Sequence, residues 1–258
     1  MNRIDSLFQS NRRDLLSIYF CAGAPDPDGT AKVIRTLAKE GVDMIEIGIP
    51  FSDPMADGPV IQDAASKALR KGMTLRKLFS QLRDIREGVE IPLILMGYLN
   101  PIYRYGFEEF CISCREVGID GMIIPDLPFR DYMESYKEIA ERHGLRMIML
   151  ITPETSEERV RLIDEHTSGF IYMVSSASTT GAQKDFDAAK QAYFKKIEDM
   201  RLSIPRMVGF GISNKATFDA ACAHASGGII GSRFVTLLEE EGGDAAKAIA
   251  RLKSDIGR

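Results

Sequence analysis

Eight short apolar runs recur along the chain, at residues 17–21, 43–49, 93–96, 121–124, 146–151, 169–174, 207–209 and 228–230. Most are apolar nearly throughout rather than in strict alternation. A parallel sheet covered on both faces requires strands of that kind. Amphipathic helical stretches separate them, at 28–39, 61–70, 108–117, 130–142, 156–165, 187–200, 214–224 and 244–253. Glycines stop several of these (Gly41, Gly118, Gly144), and Gly58-Pro59 pre-sets the first turn of another. Eight strand–helix units predict a closed (β/α)8 barrel of the TIM type. Residues 2–11 read as an extra N-terminal helix plugging the barrel bottom. A six-stranded doubly wound sheet is the alternative, and eight evenly spread strands fit it poorly.

The length of 258 residues suits a single barrel domain over 1–258, and no low-complexity linker or composition break divides it. The formal charge of −4 argues against a general nucleic-acid surface. No apolar run approaches the roughly 20 residues that span a bilayer, and the first ten residues lack a secretory core. The four cysteines are irregularly spaced, which favours reduced thiols in a cytoplasmic protein. Cys111 and Cys114 have a metal-like spacing but no second ligand pair, so they read as helix packing. His143, His166 and His224 fall near helix ends, as helix-end or surface residues. No metal site is expected.

In such a barrel, chemistry gathers where strands end and βα loops begin. Glu46 interrupts the second apolar run, between Ile45 and Ile47. A buried carboxyl there must be paired, protonated or facing a wet pocket. It is either a structural glutamate bonded to a neighbouring strand or a general acid/base with a pKa raised towards neutrality. Asp57, just before Gly58-Pro59, is either a helix cap or a second catalytic carboxylate, and Asp53 is open in the same way. At the far end of the chain, Gly209-Phe210-Gly211-Ile212-Ser213 and Gly231-Ser232 follow the seventh and eighth strands. Loops at those two places commonly bind phosphate, and glycine allows close backbone approach. The small, polar stretch Ser175 to Gln183 after the sixth strand has the composition of a mobile lid or of a plain solvated loop.

These residues together resemble one family closely, the tryptophan synthase alpha chain. The segment Ile45-Glu46-Ile47-Gly48-Ile49-Pro50-Phe51-Ser52-Asp53-Pro54-Met55-Ala56-Asp57-Gly58-Pro59 is similar to its signature almost throughout. Met96-Gly97-Tyr98-Leu99-Asn100-Pro101, Pro125-Asp126-Leu127-Pro128, Gly209-Phe210-Gly211-Ile212 and Ile230-Gly231-Ser232 follow in family order. The resemblance implies a lyase that performs retro-aldol cleavage of indole-3-glycerol phosphate to indole and glyceraldehyde 3-phosphate, in tryptophan biosynthesis. It makes Glu46 the acid/base acting on indole C3 and on the side-chain hydroxyl, and Asp57 the acceptor for the indole N–H. Tyr172 would line the glycerol part, and Tyr19, Met96, Leu127 and Phe210 the indole pocket. Gly181, Gly211, Gly231 and Ser232 would hold the phosphate.

The resemblance also implies a beta-chain partner in an alpha2beta2 heterotetramer. Pyridoxal phosphate would belong to that partner and no cofactor to this chain. Asp53, Pro54 and residues 100–106 match the coupling or contact regions. Two departures stand out: Ser176 and Ser178 occupy lid positions that the family usually gives to Arg and Gly, and Ala24 stands for the usual Asp. A stand-alone lyase releasing free indole, or a non-catalytic barrel that binds phosphate or activates a partner, are the alternatives. Retention of both Glu46 and Asp57 speaks against the last.

Overall fold

The structure, a computed structural model, describes residues 1–10, 12–175 and 186–258. Eight parallel strands pair in chain order: β1 (Leu15–Cys21), β2 (Met44–Gly48), β3 (Leu93–Met96), β4 (Gly121–Ile123), β5 (Arg146–Ile151), β6 (Ile171–Val174), β7 (Arg206–Gly209) and β8 (Gly227–Ile230). β1 bonds to both β2 and β8, so the sheet closes into the expected (β/α)8 barrel and the open doubly wound alternative falls. Each predicted run is a strand, with ends displaced by no more than about two residues, the usual uncertainty of such boundaries.

Strand alternation divides the side chains between two apolar layers. Leu16, Ile18, Phe20, Ile45 and Ile47 point outward and pack under the helices. Leu15, Met44, Ile94, Ile123, Ile148, Met207 and Ile229 fill the barrel interior. Because both layers are dry, both faces of each strand are apolar, which is why the runs in the sequence are nearly continuous. The N-terminal helix Arg3–Gln9 closes the bottom, with fully buried Ile4 in the interior cluster. Asn2 caps it by accepting the Ile4 N–H at 2.9 Å, and donates to the Asp120 carbonyl at 2.8 Å. The predicted end of this helix, Asn11, lies outside the described residues.

Seven of the patterned helices form: Thr30–Lys39, Pro59–Arg70, Phe107–Val117, Glu157–His166, Ala188–Asp199, Lys215–His224 and Ala245–Asp255. The stretch 130–142 is instead broken by a π turn, Tyr132–Tyr136, between Phe129–Asp131 and Lys137–Arg142. Three further helices were not expected, although Thr74 caps the first by accepting the Lys77 N–H at 3.1 Å. Leu75–Leu82 is short; Leu99–Tyr105 has Pro101 in its first turn, where a missing N–H costs nothing. Ser232–Glu240 starts at Gly231 without a side-chain cap. Among the described residues no helix is long and apolar enough to cross a membrane.

Candidate active site

A cavity of about 300 Å³ opens at the C-terminal ends of the strands. Its walls include Tyr19, Asp57, Met96, Tyr172, Phe210, Gly211, Gly231 and Ser232. The closed barrel thus brings together residues from β1, β3, β6 and the loops after β2, β7 and β8.

Glu46 sits on the inner face of β2, opposite Tyr19 on β1 and Ile94 on β3 in the strand register. It is fully buried, beneath the cavity rather than on its wall. Ser17 Oγ donates to its Oε1 at 3.1 Å, while Oε2 has no partner. Burial pushes the carboxyl up to about 8, and the Ser17 bond offsets only part of that. The glutamate is therefore mostly protonated at neutral pH, a proton donor in an apolar shell.

Asp57 lines the cavity itself. It does not cap the helix that follows: Pro59–Arg70 starts at Gly58 with no side-chain cap bond. Its carboxylate accepts from the Tyr98 hydroxyl at 3.2 Å. Burial raises it to about 6, opposed by that bond, so it is largely ionised at pH 7. Two carboxyls with pKa values pushed apart can divide proton donation from charge stabilisation. Asp53, by contrast, is exposed and bonded to Ser52 Oγ at 2.5 Å.

The aromatic walls owe their placement to glycines. A Cβ on Gly48 would stand 2.2 Å from the Tyr19 hydroxyl, and one on Gly209 would stand 2.1 Å from that of Tyr172. Each ring lies over a strand that offers no side chain. Phe210 holds a left-handed φ of 68°, a conformation that costs a non-glycine residue energy and often marks functional loops. Its ring meets Tyr172 edge-on, centroids 6.1 Å apart. Ser175 Oγ donates to the Phe210 carbonyl at 2.6 Å, tying the end of β6 to the β7 loop.

Beside this wall, Gly211 (φ 76°), Gly231 and Ser232 line the same cavity, and helix Ser232–Glu240 starts there from Gly231 without a side-chain cap. Free backbone N–H groups at a helix start suit an anion. Arg233 also reaches this rim, paired with Asp255 at 2.6 Å.

Leu127 is the exception among the expected pocket residues. It lines a separate gap of about 200 Å³ with Phe129, Met149 and Arg159, and the structure does not bring it to the main cavity. Gly181, Ser176 and Ser178 lie outside the described residues. Tyr98 and Ser17 stood in the sequence without a role, although each is two residues from a predicted pocket residue on the same strand or its extension. Asp126, in the Pro-Asp-Leu-Pro motif, accepts the Leu99 N–H at 2.8 Å and so anchors the helix that carries Tyr103. Cys111 and Cys114 are buried free thiols, as packing requires. His166 and His224 end helices, and His143 caps the C-terminus of Lys137–Arg142 with its ring largely buried.

Fold and site define a (β/α)8 barrel of the enzyme class, with a largely apolar cavity at the C-terminal rim and two carboxyls, Glu46 and Asp57, on the second strand and its loop. The chain belongs to the tryptophan synthase alpha chain family, whose sequence pattern matches residues 5–257. It is 72% identical over 256 residues to the tryptophan synthase alpha chain of Bacteroides thetaiotaomicron, covering 99% of this chain and 100% of that one. Identity to the Phocaeicola vulgatus alpha chain is 69% over 252 residues, 98% of each. Among solved structures, the alpha subunit of Legionella pneumophila superposes with a TM-score of 0.88 at 36% identity, covering 99% of this chain and 97% of that one. The family cleaves indole-3-glycerol phosphate in tryptophan biosynthesis, and this chain is an enzyme of that kind.

Proposed function

We propose that Glu46 and Asp57 carry the cleavage between them, within a single domain spanning 1–258. Protonated Glu46 gives its proton to indole C3; the C2–C3 π electrons form the new C–H bond, and positive charge moves to the ring nitrogen. Ionised Asp57 accepts the N–H and stabilises that cation. The Glu46 carboxylate then takes the proton of the adjacent glycerol hydroxyl as the C3–side-chain bond breaks. That bond's electrons return to the ring, the hydroxyl carbon becomes the aldehyde, and Glu46 is protonated again. General acid/base groups of this kind typically contribute 10²–10⁴-fold.

Tyr19, Met96 and Phe210 hold the flat indole, Tyr172 the glycerol portion, and Gly211, Gly231 and Ser232 the phosphate through backbone N–H groups. Leu127 has no part in this reading. Gly181 keeps its expected phosphate role as a proposal from the family motif alone. The observation that carries the assignment is geometric: Glu46 is fully buried on the inner face of β2 beside Tyr19, a cavity residue, and Asp57 stands on the cavity wall.

The chain works as the alpha subunit beside a beta chain, in a cytoplasmic alpha2beta2 assembly, with pyridoxal phosphate held by the beta chain. Two exposed apolar side chains support a docking face: Met55, which follows Asp53 and Pro54 in the loop after β2 (92% exposed), and Tyr103 on Leu99–Tyr105 (68%). Indole formation assayed alone and with a beta chain, alongside size-exclusion chromatography of the mixture, tests this. Co-elution with faster turnover is expected; equal turnover and separate elution would mark a stand-alone lyase.

A further inference from the structure

Ser17 is a fully buried hydroxyl in an otherwise apolar interior, and the mechanism above does not use it. It stands one inward step before Tyr19 on β1, level with Met44, so the β1–β2 register sets its hydroxyl beside the side chain of Glu46. The bond from Ser17 Oγ to Oε1, at 3.1 Å, is the only one the carboxyl makes among the described residues, and Oε2 is left buried without a partner. An orphaned buried oxygen is costly unless something else completes it.

We propose that Ser17 is a positioning residue for the cleavage: by donating to Oε1 it makes Oε2 the oxygen that carries and transfers the proton, and it holds the carboxylate formed after transfer. Bonded to a hydroxyl proton, Oε1 is the carbonyl-like oxygen of the acid, so the acidic hydrogen resides on Oε2, which the indole ring then meets. Once the proton has left, the same bond stabilises the charge that the apolar shell opposes. The titratable groups facing Glu46 from the packed elements are the phenols of Tyr19 on β1 and Tyr172 on β6; β3 contributes Ile94. Burial raises both phenols well above their ordinary range, so both stay neutral and leave the Ser17 hydroxyl as the group that acts on the carboxylate. Asp57 also acts on both rings; in the proposed reaction it receives the ring N–H, not the C3 proton.

This proposal rests on Glu46 being the proton donor. Ser17→Ala in the full chain, with its beta chain, tests it. The expected result is a fall in kcat of about tenfold with little change in KM. The alkaline limb of the kcat–pH profile should also move upward by about one unit, because an unassisted carboxylate is harder to form. Ser17→Thr, which keeps the hydroxyl, should restore both. If Ser17→Ala lowers only the melting temperature and leaves the limb and kcat per folded molecule unmoved, Ser17 is merely structural and the proposal fails. Glu46→Gln measured in parallel separates the two failures: an active Glu46→Gln removes the donor itself, whereas an inactive one beside an unshifted Ser17→Ala overturns only the role of Ser17.

Discussion

The Tyr98 hydroxyl donates to Asp57 Oδ2 at 3.2 Å while accepting the Ala56 N–H at 2.9 Å, fixing the β2 loop from the end of β3. The phenol ring is itself held against Phe51, centroids 5.4 Å apart. Tyr98→Phe keeps that packing and removes both bonds. Asp57 then loses the contact that offsets its burial, so its pKa rises and less of it is ionised at pH 7. Steady-state assays of the variant should show kcat/KM lower by about tenfold at pH 7, recovering in part at pH 8. A variant indistinguishable from the parent across that range would remove Tyr98 from the site.

In the proposed mechanism the two carboxyls set the pH dependence. Asp57 must be ionised, and it protonates below about 6; Glu46 must hold its proton, and it loses it above about 8. Activity is therefore expected as a bell with limbs near those values, and Asp57→Asn should lower the whole curve. A profile still rising through pH 9 would contradict the protonated state of Glu46.

Stability should bear the same mark. The folded-state pKa of Glu46 is raised above its unfolded value, so the folded chain binds more protons than the unfolded chain between about 4.5 and 8. The stabilisation tied to this group is complete below that window and is lost as pH rises through it, by about 1.4 kcal/mol per unit. Glu46→Gln cannot titrate. Chemical denaturation at pH 5 and pH 7.5 should find a smaller decline in the variant than in the parent; equal declines would mean that the carboxyl is ionised throughout.

The proposed phosphate site depends on a backbone that only glycine adopts easily. Gly211 has φ 76°, a left-handed conformation that strains any residue with a Cβ, although a Cβ there would only touch the Phe186 ring at 3.4 Å. Gly211→Val should weaken glycerol 3-phosphate binding by about tenfold or more, since displaced N–H groups no longer converge. Titration calorimetry with unchanged affinity would place the phosphate elsewhere.

The strands were readable because closure buries both of their faces, turning eight segments into apolar runs that loops and helices cannot imitate. Whereas Asp43 stands at the edge of such a run, Glu46 was visible as a carboxyl in the middle of it. Its partner Ser17 was not, because a serine at the start of a strand looks like a boundary, and only the β1–β2 register puts it under the glutamate. Helix Ser232–Glu240 follows β8 after Gly231 alone, so no intervening loop marks where the strand's apolar run ends and the helix begins. Leu127 shows a different limit: the turn in which its N–H bonds to the Ile124 carbonyl at 3.1 Å sends it to the neighbouring gap. Sequence spacing alone does not say on which side of the barrel rim a loop residue falls.

The central claim is that Glu46 transfers the proton that breaks the carbon–carbon bond. Indole release from indole-3-glycerol phosphate by Glu46→Gln, with glycerol 3-phosphate affinity measured on the same sample, tests it most directly. The expected result is a loss of about 10²–10⁴-fold in kcat with binding retained. Indole release near the parental rate would contradict it.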